Sequence, residues 1–383
     1  MPIAITSEVS ERPVSNAEWE SACAHLDTPF VLIDGATVER NINRMADYSR
    51  THGIYLRPHI KTHKSLRIAE LQLRAGAVGL TVAKPGEASV MLQLRAEVLI
   101  AYPSITSASL QVVRKVLAKN EILVALDSWE AIERLESAVP LDDRPAGVLV
   151  DIDIGLHRTG VQSVAESVRL AQRIEQSNRL RLDGIFCYPG HIWKTTAAQA
   201  DALQAAADII REHLDAWRQH GLAARIVSGG STPTAYQSHL MPGVTEIRPG
   251  TYVFNDMNTV RGGFCELTDC AARIVTSVIS NAVPNQIVID AGSKALAADR
   301  CVPAPDSGYG HVIELPDAKV TQLSEEHGQV DVSRCGSRPR VGDRLTVIPN
   351  HVCPTINLTD EAWWLASDGS LERLPIDARG MVR

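Results

Sequence analysis

From Gly53 to Gly250, short apolar runs alternate with longer stretches in which apolar residues recur every three or four positions. The runs are rich in β-branched and aliphatic residues, as in strands buried on both faces. The stretches between them have the period of helices with one wet side. The runs are "IYLRPH" (54–59), "GLTVAK" (79–84), "EVLIAY" (97–102), "EILVALD" (121–127), "AGVLVDID" (146–153), "DGIFCYP" (183–189), "ARIVSGG" (224–230) and "TEIRPG" (245–250). Segments such as "SVAESVRLAQRIEQS" and "AQADALQAAADIIREHLDAW" lie between them, polar on one face and apolar on the other. Alternation of this kind over about 200 residues predicts a parallel (β/α)8 barrel. An open doubly wound sheet is the competing arrangement, but it gathers its chemistry at one switch point. Here polar and Gly-rich residues follow strand after strand at the same end: Lys61, Lys84 to Gly86, Arg158, His191, Ser228 to Thr232, and Gly250 with Thr251.

After Phe264 the texture changes. "AARIVTSVISNAV", "NQIVIDAGS", "AKVTQLSEEHGQVDV" and "GDRLTVIPNHVCPT" read as strands joined by tight polar turns, with no long helix among them. The expected class is α/β: a (β/α)8 TIM barrel over 35–264, followed by a C-terminal mostly-β domain over 265–383. An N-terminal segment, 1–34, is expected to pair its strand into the C-terminal sheet.

A net charge of -7 argues against a nucleic-acid partner, which calls for a basic face. No apolar run approaches the roughly 20 residues that span a bilayer. The first residues, "MPIAITSEVSERPVSNAEWE", are polar and partly acidic, unlike a secretory leader. The seven cysteines are scattered and form no C-x-x-C pair, so reduced thiols and a cytoplasmic address are expected.

The stretch "RPHIKTHK" places Lys61 at the end of the first barrel strand, on the face where such barrels keep their chemistry. An amine walled in there can form an imine with a carbonyl compound. In an extended segment His59 and His63 would point to the same side as Lys61, and Arg57 with them. A solvated basic loop is the plain alternative. An imine-forming lysine suggests pyridoxal phosphate, whose phosphate needs backbone N–H groups, hydroxyls and little bulk. "SGGSTPT" (228–234) and "RPGTY" (248–252) follow the last two strands, where barrels build phosphate cups.

Taken with "DIGLHRTGV", "YPGHIW", "RPGTYVFND", "IDAGSKALAAD" and "PNHVCPT", these motifs resemble, in order from about residue 27 to 375, the D-threonine aldolase and D-serine dehydratase family. These are pyridoxal-phosphate enzymes of the alanine-racemase-like fold. The resemblance implies that Lys61 carries the cofactor, with His59 beside it. Arg158 would meet the cofactor's phenolic oxygen or ring, and Tyr188 and His191 would line the ring and the substrate. Ser231, Thr232, Gly250 and Thr251 would hold phosphate, with Tyr252 close to the pyridine. Lys61, with His191 or His63, would move the substrate's protons. The plain readings are that Arg158 bridges to Asp151 or Asp153, that Tyr188 packs at a strand end, and that His191 is a loop residue.

"NHVC" puts His351 and Cys353 two apart, on one side of an extended segment. Imidazole plus thiolate suits zinc, with positions left for water and substrate. In the family this position carries a divalent metal; aldolase members tend to show H-x-D and a harder ion such as manganese, dehydratase members H-x-C and zinc. The cysteine here favours zinc over manganese or magnesium. It also favours dehydration of a D-3-hydroxy amino acid (D-serine or D-3-hydroxyaspartate) to a 2-keto acid and ammonia. The alternative is retro-aldol cleavage to glycine and an aldehyde. An amino-acid racemase, for which Tyr309 is the candidate second base, and a non-catalytic pyridoxal-phosphate carrier are weaker readings. Arg57, Arg261 and Lys194 are candidates for a second substrate carboxylate. A homodimer is expected from the fold type.

Overall fold

The computed structural model describes residues 23–383, which divide into two compact units. The barrel unit comprises 43–252, 262–264 and 377–383; the β-unit comprises 23–42, 253–261 and 265–376. The chain therefore crosses between units more often than expected boundaries at 34/35 and 264/265 allow. Residues 1–22 of the expected N-terminal segment lie outside the described residues.

Local bonding explains the crossings. Asp34 caps the helix Gly35–His52 by accepting from the backbone N–H (3.1 Å) and hydroxyl (2.8 Å) of Thr37. That ties the helix's first turns to the strand before it. Asn41 then donates to the carbonyls of Val253 and Asp269, at 3.2 and 2.9 Å, which joins 253–261 to the same unit. At the other terminus Asp377 accepts from Leu66 N–H (2.7 Å) and the Arg383 carbonyl from Gly86 N–H (2.8 Å), which seats the chain end on the barrel.

Seven of the eight expected runs contain a strand, and the run at 183–189 overlaps one that begins earlier, at Leu180. The strands are β2 (Tyr55–Leu56), β3 (Leu80–Val82), β4 (Val98–Ile100), β5 (Ile122–Leu126), β6 (Ala146–Asp151), β7 (Leu180–Phe186), β8 (Ile226–Gly229) and β9 (Glu246–Ile247). All pair in parallel, in the order β2-β9-β8-β7-β6-β5-β4-β3. The ends of that order meet through Val78 N–H to Leu56 O and Thr81 N–H to Pro58 O, both 2.9 Å, and a parallel bridge between His59 and Thr81. The ring is thereby joined, and the strands are buried almost throughout, as their continuous apolar runs require. The helices lay their apolar stripes on this ring. Val164–Glu175, capped by Ser163 accepting from Glu166 N–H, buries Val168, Leu170, Ala171 and Ile174. Between β6 and β7 the register shifts at Gly184, whose φ is +148° and whose added Cβ would stand 1.9 Å from the Ile226 carbonyl oxygen. Only glycine fits there.

In the β-unit, β1 (Phe30–Asp34) pairs antiparallel with β10 (Ala272–Ser280) and parallel with β16 (Glu361–Leu365). The strands β11 (Gln286–Ile289), β12 (His311–Val312), β13 (Lys319–Leu323), β14 (Gly328–Asp331), β15 (Arg344–Ile348) and β17 (Leu371–Pro375) complete the sheet. Ile274, Val278, Ile287, Ile289, Val330 and Val347 alternate inward to form its core. Two short helices, Ser293–Leu296 and Val352–Asn357, interrupt the strands. No helix among the described residues is long and apolar enough to cross a membrane.

Candidate active site

The ends of all eight barrel strands contribute to one cavity of 360 Å³. Its chemistry begins with Lys61. The extended segment stops at His59, and Ile60–Thr62 forms a one-turn 3-10 helix. The His59 Nδ1 accepts from Lys61 N–H at 3.4 Å and caps that turn. Lys61 is thereby carried to the cavity wall, and among the described residues its ammonium meets no carboxylate. Its neighbour Lys64 is spoken for: the buried Lys64 Nζ stands 2.7 Å from Glu87. His59 lines the cavity too. Burial, and then the charges of Lys61 and Arg248, hold its imidazole well below the ordinary histidine range, so it is a neutral wall.

The turn at Ile60 overturns the expected position of His63. It is fully buried and does not line the cavity. Its Nδ1 accepts from Ser65 N–H (3.1 Å), and its Nε2 meets Gln72 Oε1 (3.2 Å). Gln72 Nε2 in turn donates to the Tyr252 hydroxyl (3.0 Å). Tyr252 is buried and stands outside the cavity wall as well. Burial pulls His63 down to about 3, against the raising effect of its Gln72 and Ser65 hydrogen bonds. Above about pH 6.5 the imidazole is neutral in both the folded and the unfolded chain, and its proton adds nothing to stability. Between about 6.5 and 3 the unfolded chain takes up a proton that the folded one refuses, so stability falls with pH. His63→Gln should therefore flatten the acid side of the stability curve by up to about 1.4 kcal/mol per pH unit in that window. Urea midpoints of both proteins from pH 7 to 4 check this; parallel curves would refute it.

Arg57 is not on the cavity side. It is buried inside the ring, with its Nε 3.0 Å from each carboxylate oxygen of Glu246 and its Nη2 2.7 Å from Glu97. Glu246 also accepts from Ser228 Oγ (2.6 Å), and Ser228 Oγ accepts from Arg248 Nη1 (2.6 Å). Ser228, the first residue of the expected phosphate loop, thus faces the interior. Arg248 also donates to the Cys187 carbonyl (2.7 Å), lies 3.8 Å over the Phe186 ring, and reaches the cavity.

Two loops place the remaining residues. After β6, Asp153 accepts from the N–H groups of Gly155 (2.9 Å) and His157 (3.0 Å) and from Gln162 Nε2 (3.0 Å). Burial raises this carboxyl, but those bonds outweigh it and hold it at about 2. With Asp153 occupied, Arg158 lies instead over the Tyr188 ring, 4.9 Å from its centroid, and both line the cavity. Gly190 makes room for that ring: a Cβ there would fall 2.2 Å from Tyr188 Cε1. His191 follows, exposed, packed on Gly155 and outside the cavity wall. Of the expected phosphate residues, Ser231 bonds Thr234 Oγ1 (3.0 Å), and Thr232 Oγ1 accepts from Tyr252 N–H (3.3 Å). Gly250 sits tightly against His59 and Thr62. From these two loops the cavity wall takes Gly230 and Arg248, but not Ser231, Thr232, Gly250 or Thr251.

Sequence reasoning took Asp151 only as a possible bridge partner of Arg158 and gave Arg248 no role of its own. Asp151 is the one carboxylate of the cavity wall. Burial lifts it to about 7, with Thr159, Arg248 and Arg158 opposing and Asp127 adding to the rise. Only an acid ending an apolar strand marks it in the sequence.

In the β-unit, His351 and Cys353 do come together, though not on an extended segment. His351 is the N-cap of the helix Val352–Asn357, with Cys353 and Pro354 in its first turn. Asp256 accepts from Val352 N–H at 3.0 Å and satisfies one of the open donors of that helix. The His351 imidazole bonds the Cys353 side chain and stands 3.4 Å from Asp299. Among the described residues no group of three or more His, Cys, Asp or Glu side chains forms a fuller cage. Nearby in sequence, Arg300 lies 4.1 Å over the Tyr309 ring, and Arg261 bonds Ser307.

Comparison with known proteins agrees with the fold. Residues 33–257 match the alanine racemase N-terminal domain, and residues 271–365 match the putative serine dehydratase domain. The chain is 32% identical to D-threo-3-hydroxyaspartate dehydratase of Delftia sp. (strain HT23), over 91% of this chain and 96% of that one. The crystal structure of D-threonine aldolase from Filomicrobium marinum superposes with a TM-score of 0.86 at 29% identity, covering 94% of this chain and 97% of the other. A D-threo-3-hydroxyaspartate dehydratase variant with a cysteine replaced by alanine, described as the metal-free form, superposes at 0.82 with 30% identity, over 92% and 98% of the two chains. The chain belongs to the alanine-racemase-like family of pyridoxal-phosphate enzymes that holds the D-threonine aldolases and D-serine dehydratases.

Proposed function

We propose that the chain is a pyridoxal-phosphate and divalent-metal dependent lyase that dehydrates and deaminates a D-3-hydroxy amino acid to a 2-keto acid and ammonia. The observation that carries this reading is the Lys61 ammonium, unpartnered by any carboxylate among the described residues, in a cavity to which every barrel strand contributes. The wall suits the cofactor. Lys61 Nζ would hold its aldehyde carbon, the stacked Tyr188 and Arg158 would flank its ring, and His59 adds a neutral imidazole. Gly230, at φ +78°, lets the backbone of the loop after β8 approach closely, and Arg248 brings a guanidinium to the same part of the wall for the phosphate, while Ser231 and Thr232 stand behind it. Bound there, the cofactor supplies an electron sink for a bond breaking at the substrate's Cα.

The chain's own groups do the rest. With the cofactor bound, the Lys61 amine would give up its place to the substrate amine, and its freed Nζ would be the base that takes the Cα proton. Arg158 and Arg248 keep the site cationic, and Asp151, lifted by burial to about 7, offsets that charge only in part. His351 and Cys353 would be the donors for a metal, and their imidazole and thiolate would favour zinc. The chemistry a metal would supply is Lewis acidity toward a leaving hydroxyl. The hydroxyl departs with the Cα proton as water, and hydrolysis of the released enamine yields the keto acid and ammonia.

Dehydration rather than cleavage rests on the softness of Cys353. Product analysis decides: purified holoenzyme given D-serine, D-threonine or D-3-hydroxyaspartate, with zinc, manganese or magnesium, should yield keto acid and ammonia in equal amounts, best with zinc. Glycine and an aldehyde would make the chain an aldolase instead.

A further inference from the structure

The cavity holds a second lysine that the reading above leaves unused. Lys84 follows β3, half-buried, and its Nζ lies 3.4 Å from the centroid of the Tyr102 ring, which follows β4. Among the described residues it meets no carboxylate. The nearest acid in sequence, Glu87, is held by Lys64 Nζ (2.7 Å) and by Ala83 N–H (2.7 Å). An aromatic face steadies an ammonium without neutralising it, so Lys84 is a positioned cation that still lacks a counter-anion.

The cavity as a whole is out of balance in the same direction. Lys61, Lys84, Arg158 and Arg248 line it, against the single carboxyl of Asp151. Strand order separates these charges. Going around the ring, the Gly-rich loops after β8 and β9 come first, then Lys61 after β2, then Lys84 after β3 and Tyr102 after β4. The loops suited to phosphate therefore lie on one side of Lys61 and Lys84 on the other. A ligand that reaches Lys84 from Lys61 extends away from the phosphate loops.

We propose that Lys84 is the subsite for a second carboxylate on the substrate, so that the chain prefers a dicarboxylic D-3-hydroxy amino acid to D-serine or D-threonine. This rests on the lyase reading. An ammonium already held in place forms a charge-assisted bond to a carboxylate at little ordering cost, and a site built for a charge discriminates strongly against a substrate that lacks it.

The test compares wild type, Lys84→Gln and Lys84→Arg as holoenzymes. Keto-acid formation from D-threo-3-hydroxyaspartate and from D-serine gives the selectivity. Lys84→Gln should lower the ratio of the two kcat/KM values about 10- to 100-fold, mainly through KM for the dicarboxylate, and Lys84→Arg should restore part of it. A second readout needs no turnover: D-aspartate, which lacks the hydroxyl, should perturb the bound cofactor's absorbance at lower concentration than D-alanine in wild type, and that difference should vanish in Lys84→Gln. An unchanged ratio overturns the proposal. Equal losses on both substrates assign Lys84 to the α-carboxylate, and loss of the cofactor's absorbance assigns it to the phosphate; either also overturns it. Should wild type form no keto acid from any substrate, the lyase reading fails by itself, and the D-aspartate titration still decides on Lys84.

Discussion

Lys61→Ala should yield a colourless protein with turnover lowered at least about 1,000-fold, as expected when the nucleophile of a covalent mechanism is removed. The size of the effect follows from the cavity. No other amine there is placed to take over: Lys64 is paired with Glu87, and Lys84 is held over Tyr102 on the next strands. Fold should survive, because the Lys61 side chain has no carboxylate partner among the described residues to lose. Reducing wild type with borohydride and digesting it should place the cofactor's added mass on the peptide that contains Lys61. Label on Lys84 or Lys64, or a Lys61→Ala protein that keeps its colour and turnover, would remove the basis of the proposed chemistry.

Cys353→Ala should cost the second largest share of activity. Changes to groups that merely orient a metal's ligands already lower affinity about 10- to 100-fold, so loss of one of two protein donors should cost at least about 100-fold in metal affinity. Metal content after dialysis, followed by titration with zinc, measures it. Cys353→Asp separates softness from simple ligation: it restores a donor but a hard one, so activity should return with manganese and less with zinc. The helix cap at Asp256 remains in both variants, so thermal stability should change little. A Cys353→Ala protein that keeps both its metal and its turnover would take the thiol out of the site.

Much of the barrel is legible along the chain. Each buried parallel strand must be apolar on both faces and each covering helix on one, and that alternation survives in the eight runs. The position of Lys61 at the end of β2 follows from it. His63 is misread for a local reason: a single 3-10 turn at Ile60–Thr62 rotates the chain, and the period-two rule that aligned His59, Lys61 and His63 lapses there. His351 and Cys353 meet by a different geometry from the expected one, across a helix N-cap.

The sequence by itself determined the strand and helix alternation, the β-rich second half, the amine after the first barrel strand and the closely spaced imidazole and thiol. These are short-range properties, set by which faces must be dry and by neighbours a few residues apart. Only the tertiary structure decided which charges are spent. Arg57 is consumed by Glu246, 189 residues away, and Lys64 by Glu87, while Lys61 and Lys84 reach the cavity without a carboxylate. Neutralisation of a buried charge depends on whichever oppositely charged group the fold brings within a few ångströms, and separation along the chain carries no record of that distance.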